Sequence, residues 1–324
     1  MSTTGNPTTV LEESPAPIPS ALVLPRRSLR GTRRREGVIY GVLILCALFS
    51  ILVTATILLV LLKETITFFR FPEITLGNFL GSTTWNPDLG QTRSFGIWAL
   101  VSGTLLITAI AMLIALPLGL ISAIYLSEYA QPRTRTILKP ILEILAGIPT
   151  VVYGFFALTT ITPLLQWFAE FGVYNAMSAG IAVGILCLPT VCSLSEDALR
   201  AVPRSLRDAA YGLGGTRFDV AIKVVVPAAL SGIISAFLLA AARAIGETMI
   251  VALAAGSRPR VTIDPRNDVQ TMTGYMVQRA TGDASNFDLL YYSLYAVAFT
   301  LFIVTLGLTM VGNVVRRQFR EKYE

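Results

Sequence analysis

The sequence predicts an all-α integral membrane protein with six transmembrane helices, and three observations carry that prediction. The 324 residues are 53% hydrophobic and only 14% charged, with a mean hydropathy of +0.65, which leaves too little polar surface for a soluble domain of this length. Long uncharged stretches recur along the chain. The basic residues cluster in alternate connections between those stretches.

Residues 1–25 are rich in Thr, Ser and Pro and show no periodicity, which predicts a disordered tail. With Arg26, Arg27, Arg30, Arg33, Arg34 and Arg35 they form a basic N-terminal arm, residues 1–36. The 26 uncharged residues from Gly37 to Leu62 exceed the roughly 7–15 apolar residues of a signal peptide, so 37–62 reads as a retained first helix. Residues 63–93 make an external loop. A five-helix core, 94–315, follows, with apolar runs at Ser94–Ser127, Ile144–Ala169, Phe171–Ser195, a divided run from Val224 to Gly256, and Leu289–Val315. Each has the roughly 20 residues that cross a bilayer at about 1.5 Å per residue. Residues 316–324 are a basic tail.

Most of the 26 Lys+Arg lie in the arm, in the loop with Arg133, Arg135 and Lys139, in segment 196–223, and in the tail. Positive-inside placement puts both termini in the cytoplasm. Trp98, Trp167, Tyr291 and Tyr292 fall at predicted outer ends, where amphipathic rings favour the interface; packing explains each of them singly as well. Pro117, Pro149, Pro163, Pro189 and Pro227 interrupt the runs, as kinks of a moving bundle or fixed bends of a static one. The chain has no histidine, the commonest metal ligand and general base. Cys46, Cys187 and Cys192 lie in apolar runs without CxxC spacing and read as packing residues.

One run breaks the pattern. Val224–Ala242 is 19 residues without a charge and Thr248–Ser257 is ten more, with Arg243 and Glu247 between them. An ionised side chain near the centre of a membrane helix opposes insertion by about 2.5–3.5 kcal/mol. In one continuous helix, residues four apart share a face and can pair. Three readings stand: a place on a substrate's route, a structural salt bridge, or an interfacial arginine beyond a helix that ends near Ala242.

Between the fourth and fifth helices, about 195–227, lies a long polar connection. Leu206, Ala209, Ala210 and Leu213 recur with helical spacing and predict a short amphipathic helix. Ser205 and Asp208 form a partial capping box, and Gly214-Gly215 supply a stop. The apolar face packs on the protein's own helix ends or docks in a partner. Gly212–Gly215 lacks the GK[ST] of a phosphate loop, and no Walker motif occurs in the sequence, so any nucleotide hydrolysis falls to another subunit.

Asp208-Ala209-Ala210, three residues, Gly214, nine residues and Val224-Val225-Val226-Pro227 resemble the EAA loop of bacterial ABC importer permeases, E-A-A-x3-G-x9-I-x-L-P. Asp208 replaces Glu, and Val224 and Val226 replace Ile and Leu. The resemblance covers about residues 95–315. EILAGIPTVVYGFFAL, Glu143 to Leu158, and ARAIGETM, Ala242 to Met249, are similar to the phosphate-specific permeases of the PstC type. The resemblance implies a type I importer permease core, MetI-like, in the bacterial inner membrane. It implies a second permease subunit (PstA type, or a homologous copy), two cytoplasmic ATPase subunits, an external phosphate-binding protein, inorganic phosphate as substrate and surrounding membrane lipid, with no nucleic acid. It implies no cofactor here, ATP and magnesium being bound by the ATPase. The coupling contact maps to Ser205, Leu206, Asp208, Ala209, Ala210, Leu213, Gly214 and Pro227.

Arg243, Glu247 and Thr248 are the expected pathway residues, and no residue is expected to be catalytic. A guanidinium matches phosphate oxygens. Glu247 would orient Arg243 or accept the proton that phosphate carries and sulfate lacks. The external loops, with Trp85, Tyr275 and Phe287, are candidates for meeting the binding protein, or are simply solvated. The rivals are a permease for sulfate, molybdate or tungstate, and, from another class, a membrane-embedded enzyme or receptor.

Overall fold

In a computed structural model the chain is helical nearly throughout, and it describes residues 29–87, 93–282 and 288–318, with side chains of the first helix from Glu36 onward. Residues 1–57 and 58–324 form two units. Helix α1, Leu29–Phe69, is 41 residues long. It begins inside the segment read as the disordered arm and extends past Leu62, since Lys63 and Glu64, which pair at 3.3 Å, are charged residues that end an apolar run without ending a helix. The rest of the arm and the last residues of the tail lie outside the described residues.

In the second unit, helix α2 (Leu76–Gly81) and the paired strands β1 (Trp85–Asn86) and β2 (Ser94–Phe95) occupy the predicted external loop. Helix α3, Trp98–Ile124, continues into a π turn at Tyr125–Tyr129. Helix α4, Pro132–Gly147, is followed by α5, Thr150–Phe156, a π turn at Ala157–Ile161 and α6, Thr162–Gln166. Helix α7 is Ala176–Ala201, α8 is Arg204–Gly212, and α9 is Arg217–Val220, joined by a π turn to α10, Val226–Ala228. Then come α11 (Leu230–Ile245), α12 (Met249–Ala254), α13 (Met272–Thr281) and α14 (Leu289–Gln318).

Among the described residues four helices are long and apolar enough to cross a membrane, or up to six if each of two bent pairs is one span. The bends correct two expectations. The span expected at Ile144–Ala169 breaks at Ile148-Pro149: α4 and the α5–α6 rod differ by 87°. Pro149 cannot supply the N–H that would continue the α4 ladder, and Tyr153 fastens the corner by donating to the Leu145 carbonyl at 2.7 Å. The arginine-bearing connection is thus itself helix α4. The run from Val224 to Gly256 bends by 71° before Leu230, next to Pro227, and breaks again after Ile245. Pro117 and Pro189, by contrast, sit inside unbroken helices.

Helix α3 passes through all three apolar clusters. Ala99 to Val101 join Phe68, Phe79, Trp85 and Tyr275; Ile107 to Ala115 join Tyr153, Val183, Ala244 and Ile250; Ala123 and Leu126 join Leu199, Val225 and Ile233. It packs most extensively on α7. With lipid outside and no hydrophobic drive between helices, close backbone approach supplies the contact energy, which explains the small residues Ala179, Gly180, Ala182 and Gly184 along the α7 face. Helix α4 buries no residue. Leu138, Leu142 and Leu145 pack partly buried against the clusters, and polar bonds add to the hold: Glu196 of α7, 1% exposed, meets Arg135 at 2.6 Å and Lys139 at 3.5 Å.

The loop expected between 258 and 288 is not a solvated strand of chain. Residues 269–275 are all buried. Met272 N donates to Thr104 Oγ1 at 3.0 Å, and Thr273 Oγ1 to the Glu247 carbonyl at 2.6 Å. Gly103 makes this possible, since a Cβ there would stand 2.5 Å from the Gln270 carbonyl oxygen. Trp85 and Tyr275 stack edge-to-face at 5.0 Å and are each 1% exposed, so they pack the core and do not face a partner. Phe287 lies outside the described residues.

Candidate anion pathway and coupling surface

Arg243 lies in the last turn of α11, and the chain changes direction directly after it. Gly246 closes the helix, its N–H returning to the Ala242 carbonyl at 3.2 Å. Glu247 then opens α12: its Oε1 accepts from the N–H of Met249 at 3.2 Å and of Ile250 at 3.3 Å. The first N–H groups of a helix have no internal partner and present its positive end, so a buried carboxylate there is stabilised. Thr248 donates its hydroxyl to the Gly246 carbonyl at 3.0 Å.

The expected pair across one helical turn is therefore corrected. No continuous helix joins Arg243 to Glu247, and the carboxylate is engaged with α12. Arg243 makes no ion pair among the described residues; its Nη1 donates to Thr190 Oγ1 at 2.9 Å. A hydroxyl does not neutralise a guanidinium, which has five N–H donors. The arrangement leaves a half-buried positive charge free to take an anion. Thr190 was not singled out in the sequence: it follows Pro189 in an uncharged run and nothing there distinguishes it from a packing threonine. Beside it a cavity of about 350 Å³ lies between α4, α7 and α11, bounded by Lys139, Glu143, Ser193 and Leu239 among others. Cys187 and Cys192 are buried in α7.

At the opposite end of α11, helix α8 spans nine residues. Its first residue follows Pro203 with no side-chain cap, so the expected Ser205/Asp208 box does not form; Ser205 already lies inside the helix. The glycine stop is present. Gly214 has φ +84, a left-handed conformation natural to glycine, and its N–H and that of Gly215 return to the Tyr211 and Ala210 carbonyls at 2.9 and 3.1 Å. The predicted apolar face divides. Leu206 and Ala210 pack on the cluster around Leu199 and Val225, while Ala209, Gly214 and Asp208 are exposed. Leu213 is 91% exposed, with Phe218 and Tyr211 also exposed. Pro227 is the second residue of α10, away from this surface in sequence. Asp219, on α9, pairs with Lys223 at 2.6 Å.

Beyond α12, a cavity of about 490 Å³ is bounded by Tyr174, Arg260, Asp264, Arg266 and Asp268 among others. Arg260 bonds the Asp268 carboxylate and, at 2.8 Å, its carbonyl. Arg266 bonds Asp264 at 2.8 Å and holds that carboxyl at about 2. The loop carbonyls of Asn267 and Pro265 each accept an N–H from the start of α7 at 2.9 Å, which ties this surface to the helix carrying Thr190.

Residues 115–320 match the family described as binding-protein-dependent transport system inner membrane component. The chain is 35% identical over 229 residues to a probable ABC transporter permease protein, YqgH, of Bacillus subtilis, covering 70% of this chain and 74% of that one. It is 34% identical over 248 residues to the phosphate transport system permease protein PstC of Mesorhizobium japonicum, with the same coverages. Among solved structures, a bacterial ABC transporter that imports alginate aligns over 90% of this chain and 99% of its own with a TM-score of 0.62 at 13% identity. The MetNI methionine ABC transporter aligns over 70% and 95% with a TM-score of 0.53 at 17% identity. Fold, spans and matched residues agree: the chain belongs to the family of inner-membrane components of binding-protein-dependent transport systems, with the fold of an ABC importer permease.

Proposed function

We propose that this chain is the PstC-type permease subunit of a phosphate importer, with Arg243 as the anion-binding residue of the pathway. The observation that carries the reading is a membrane-helix guanidinium held by a hydroxyl and by no carboxylate. The similarity to permeases named for phosphate transport supports the choice of substrate. Thr190 aims Arg243, Glu247 holds the break that ends α11 just beyond it, and Thr248 offers a hydroxyl at that break. Since Glu247 caps α12, it acts first by shaping the pathway and by placing negative charge near an anion that carries no proton.

In this reading the α8 end is cytoplasmic, as are both termini, and the exposed Leu213, Gly214 and Ala209 dock into one of two ATPase subunits that bind ATP and magnesium. A second permease subunit completes the pathway, and an external phosphate-binding protein docks where Arg260 and Arg266 lie. Closure of the ATPases moves α8 and switches the pathway from outward to inward opening. The test is phosphate uptake by Arg243→Lys and Arg243→Gln at matched membrane amounts. Lys loses the fork and should lower uptake at limiting phosphate by about tenfold or more; Gln should abolish it. Unchanged uptake in both refutes the role of Arg243, and transport of sulfate, molybdate or tungstate in place of phosphate refutes the substrate.

A further inference from the structure

Helix α8 buries none of its residues, yet one of its side chains binds two other helices. Arg207 Nη1 donates to the Val202 carbonyl at 2.6 Å and Nη2 to the Leu199 carbonyl at 2.8 Å. These acceptors lie at the C-terminal end of α7, where carbonyls lack the N–H of a following turn; the Leu199 carbonyl also takes the N–H of Val202, at 3.4 Å. The same guanidinium reaches the π turn that ends α3: Nη2 stands 3.1 Å from Glu128 Oε1 and Nε 3.4 Å from Oε2. Ser127 Oγ holds Glu128 Oε1 at 2.8 Å. The two side chains are 15% and 8% exposed, so water screens the pair weakly, and the planar fork gives it direction as well as strength.

The covalent route from α8 to α11 is less direct. It passes through the left-handed Gly214, Gly215 and the 71° bend before Leu230. A force on the exposed face of α8 therefore has three paths: a jointed connection, the non-directional apolar contacts of Leu206 and Ala210, and one directional polar clasp to the end of α3 and to α7.

We propose that Arg207 is a positioning residue that transmits movement of α8 to α3 and α7 through Glu128. Helix α7 carries Thr190, and Thr190 holds Arg243, so the clasp connects the docking face to the anion-binding guanidinium without passing along α11. The inference rests on the proposed coupling role of α8. Breaking the clasp should leave the docking face in place and separate hydrolysis from transport.

The experiment compares Glu128→Gln, Glu128→Asp and Arg207→Lys in the reconstituted complex with its ATPase subunits and external phosphate-binding protein, measuring ATP hydrolysed per phosphate moved. Glu128→Gln retains both carbonyl bonds of Arg207 and so tests the clasp with the least disturbance of folding. Its ATP-to-phosphate ratio should rise about tenfold, the factor for one charge-assisted hydrogen bond, with the ATPase still bound and phosphate stimulation of hydrolysis lost. Arg207→Lys should behave alike, because an ammonium cannot span three acceptors. Glu128→Asp should restore part of the stimulation. An unchanged ratio in Glu128→Gln and Arg207→Lys overturns the proposal, and so does loss of ATPase binding or of membrane protein in both, which marks a purely structural clasp. Failure of the underlying reading is seen separately, as ATPase binding that survives truncation of Leu213.

Discussion

Leu213 ends α8 with its side chain 91% exposed, so truncating it costs this subunit's own fold almost nothing and reports on whatever covers it. Burying a whole leucine side chain contributes about 1.5–3 kcal/mol. Alanine keeps the first carbon, so Leu213→Ala should weaken ATPase binding by about 2 kcal/mol, or about 30-fold in Kd. The backbone at Gly214 is unaffected, which separates lost contact from a distorted helix end. The assay is titration of purified ATPase subunit onto the permease complex in lipid nanodiscs, with membrane amount and thermal midpoint as controls. An unchanged Kd would refute the reasoning. A fall in thermal midpoint would refute it too, because it would place Leu213 in the subunit's own core.

Other substitutions probe the rest of the molecule. Thr190→Val keeps shape but removes the acceptor of Arg243, and should raise the KM for phosphate by about tenfold at unchanged membrane amount, while Thr190→Ser stays close to the unsubstituted protein. Glu196→Gln should lower stability in detergent by about 2–3 kcal/mol, less than for a fully buried pair because Arg135 and Lys139 remain part exposed. Arg200→Gln, at the 3.7 Å edge of the same cluster and 45% exposed, should cost under about 1 kcal/mol. Arg266 depresses the Asp264 carboxyl below its ordinary range to about 2. Its contribution is therefore complete above the ordinary carboxylate pKa and is lost only as pH falls toward about 2. Proteolysis of the 257–271 loop should accordingly be the same at pH 7 and pH 5, and Asp264→Asn should speed it at both.

The spans, the short helix at α8 and its glycine stop were legible because each rests on a local rule: apolar length, 3.6-residue spacing, and the freedom of Gly214 to adopt positive φ. The place of Leu213 at the end of this helix was legible for the same reason, but its 91% exposure was not. The breaks were harder. Five prolines looked alike in sequence, yet Pro117 and Pro189 sit inside continuous helices while Pro149 and Pro227 flank sharp bends, because neighbouring side chains and packing decide whether the freed carbonyl is satisfied within the rod. The Arg243–Glu247 pair failed for a related reason: Gly246 ends the helix, and the N–H groups of α12 compete successfully for the carboxylate. Thr190, Arg207 and Glu128 act across separations of 53 to 79 residues, and no periodicity announces such contacts.

The most direct measurement is phosphate-stimulated ATP hydrolysis by the complete complex in proteoliposomes, with the binding protein inside or outside and with sulfate and tungstate as competitors. The expected result is stimulation by phosphate that neither competitor suppresses and that Arg243→Gln eliminates while the ATPase stays bound. Stimulation that survives Arg243→Gln, or that sulfate or tungstate elicits as well as phosphate does, would contradict a phosphate pathway built around Arg243.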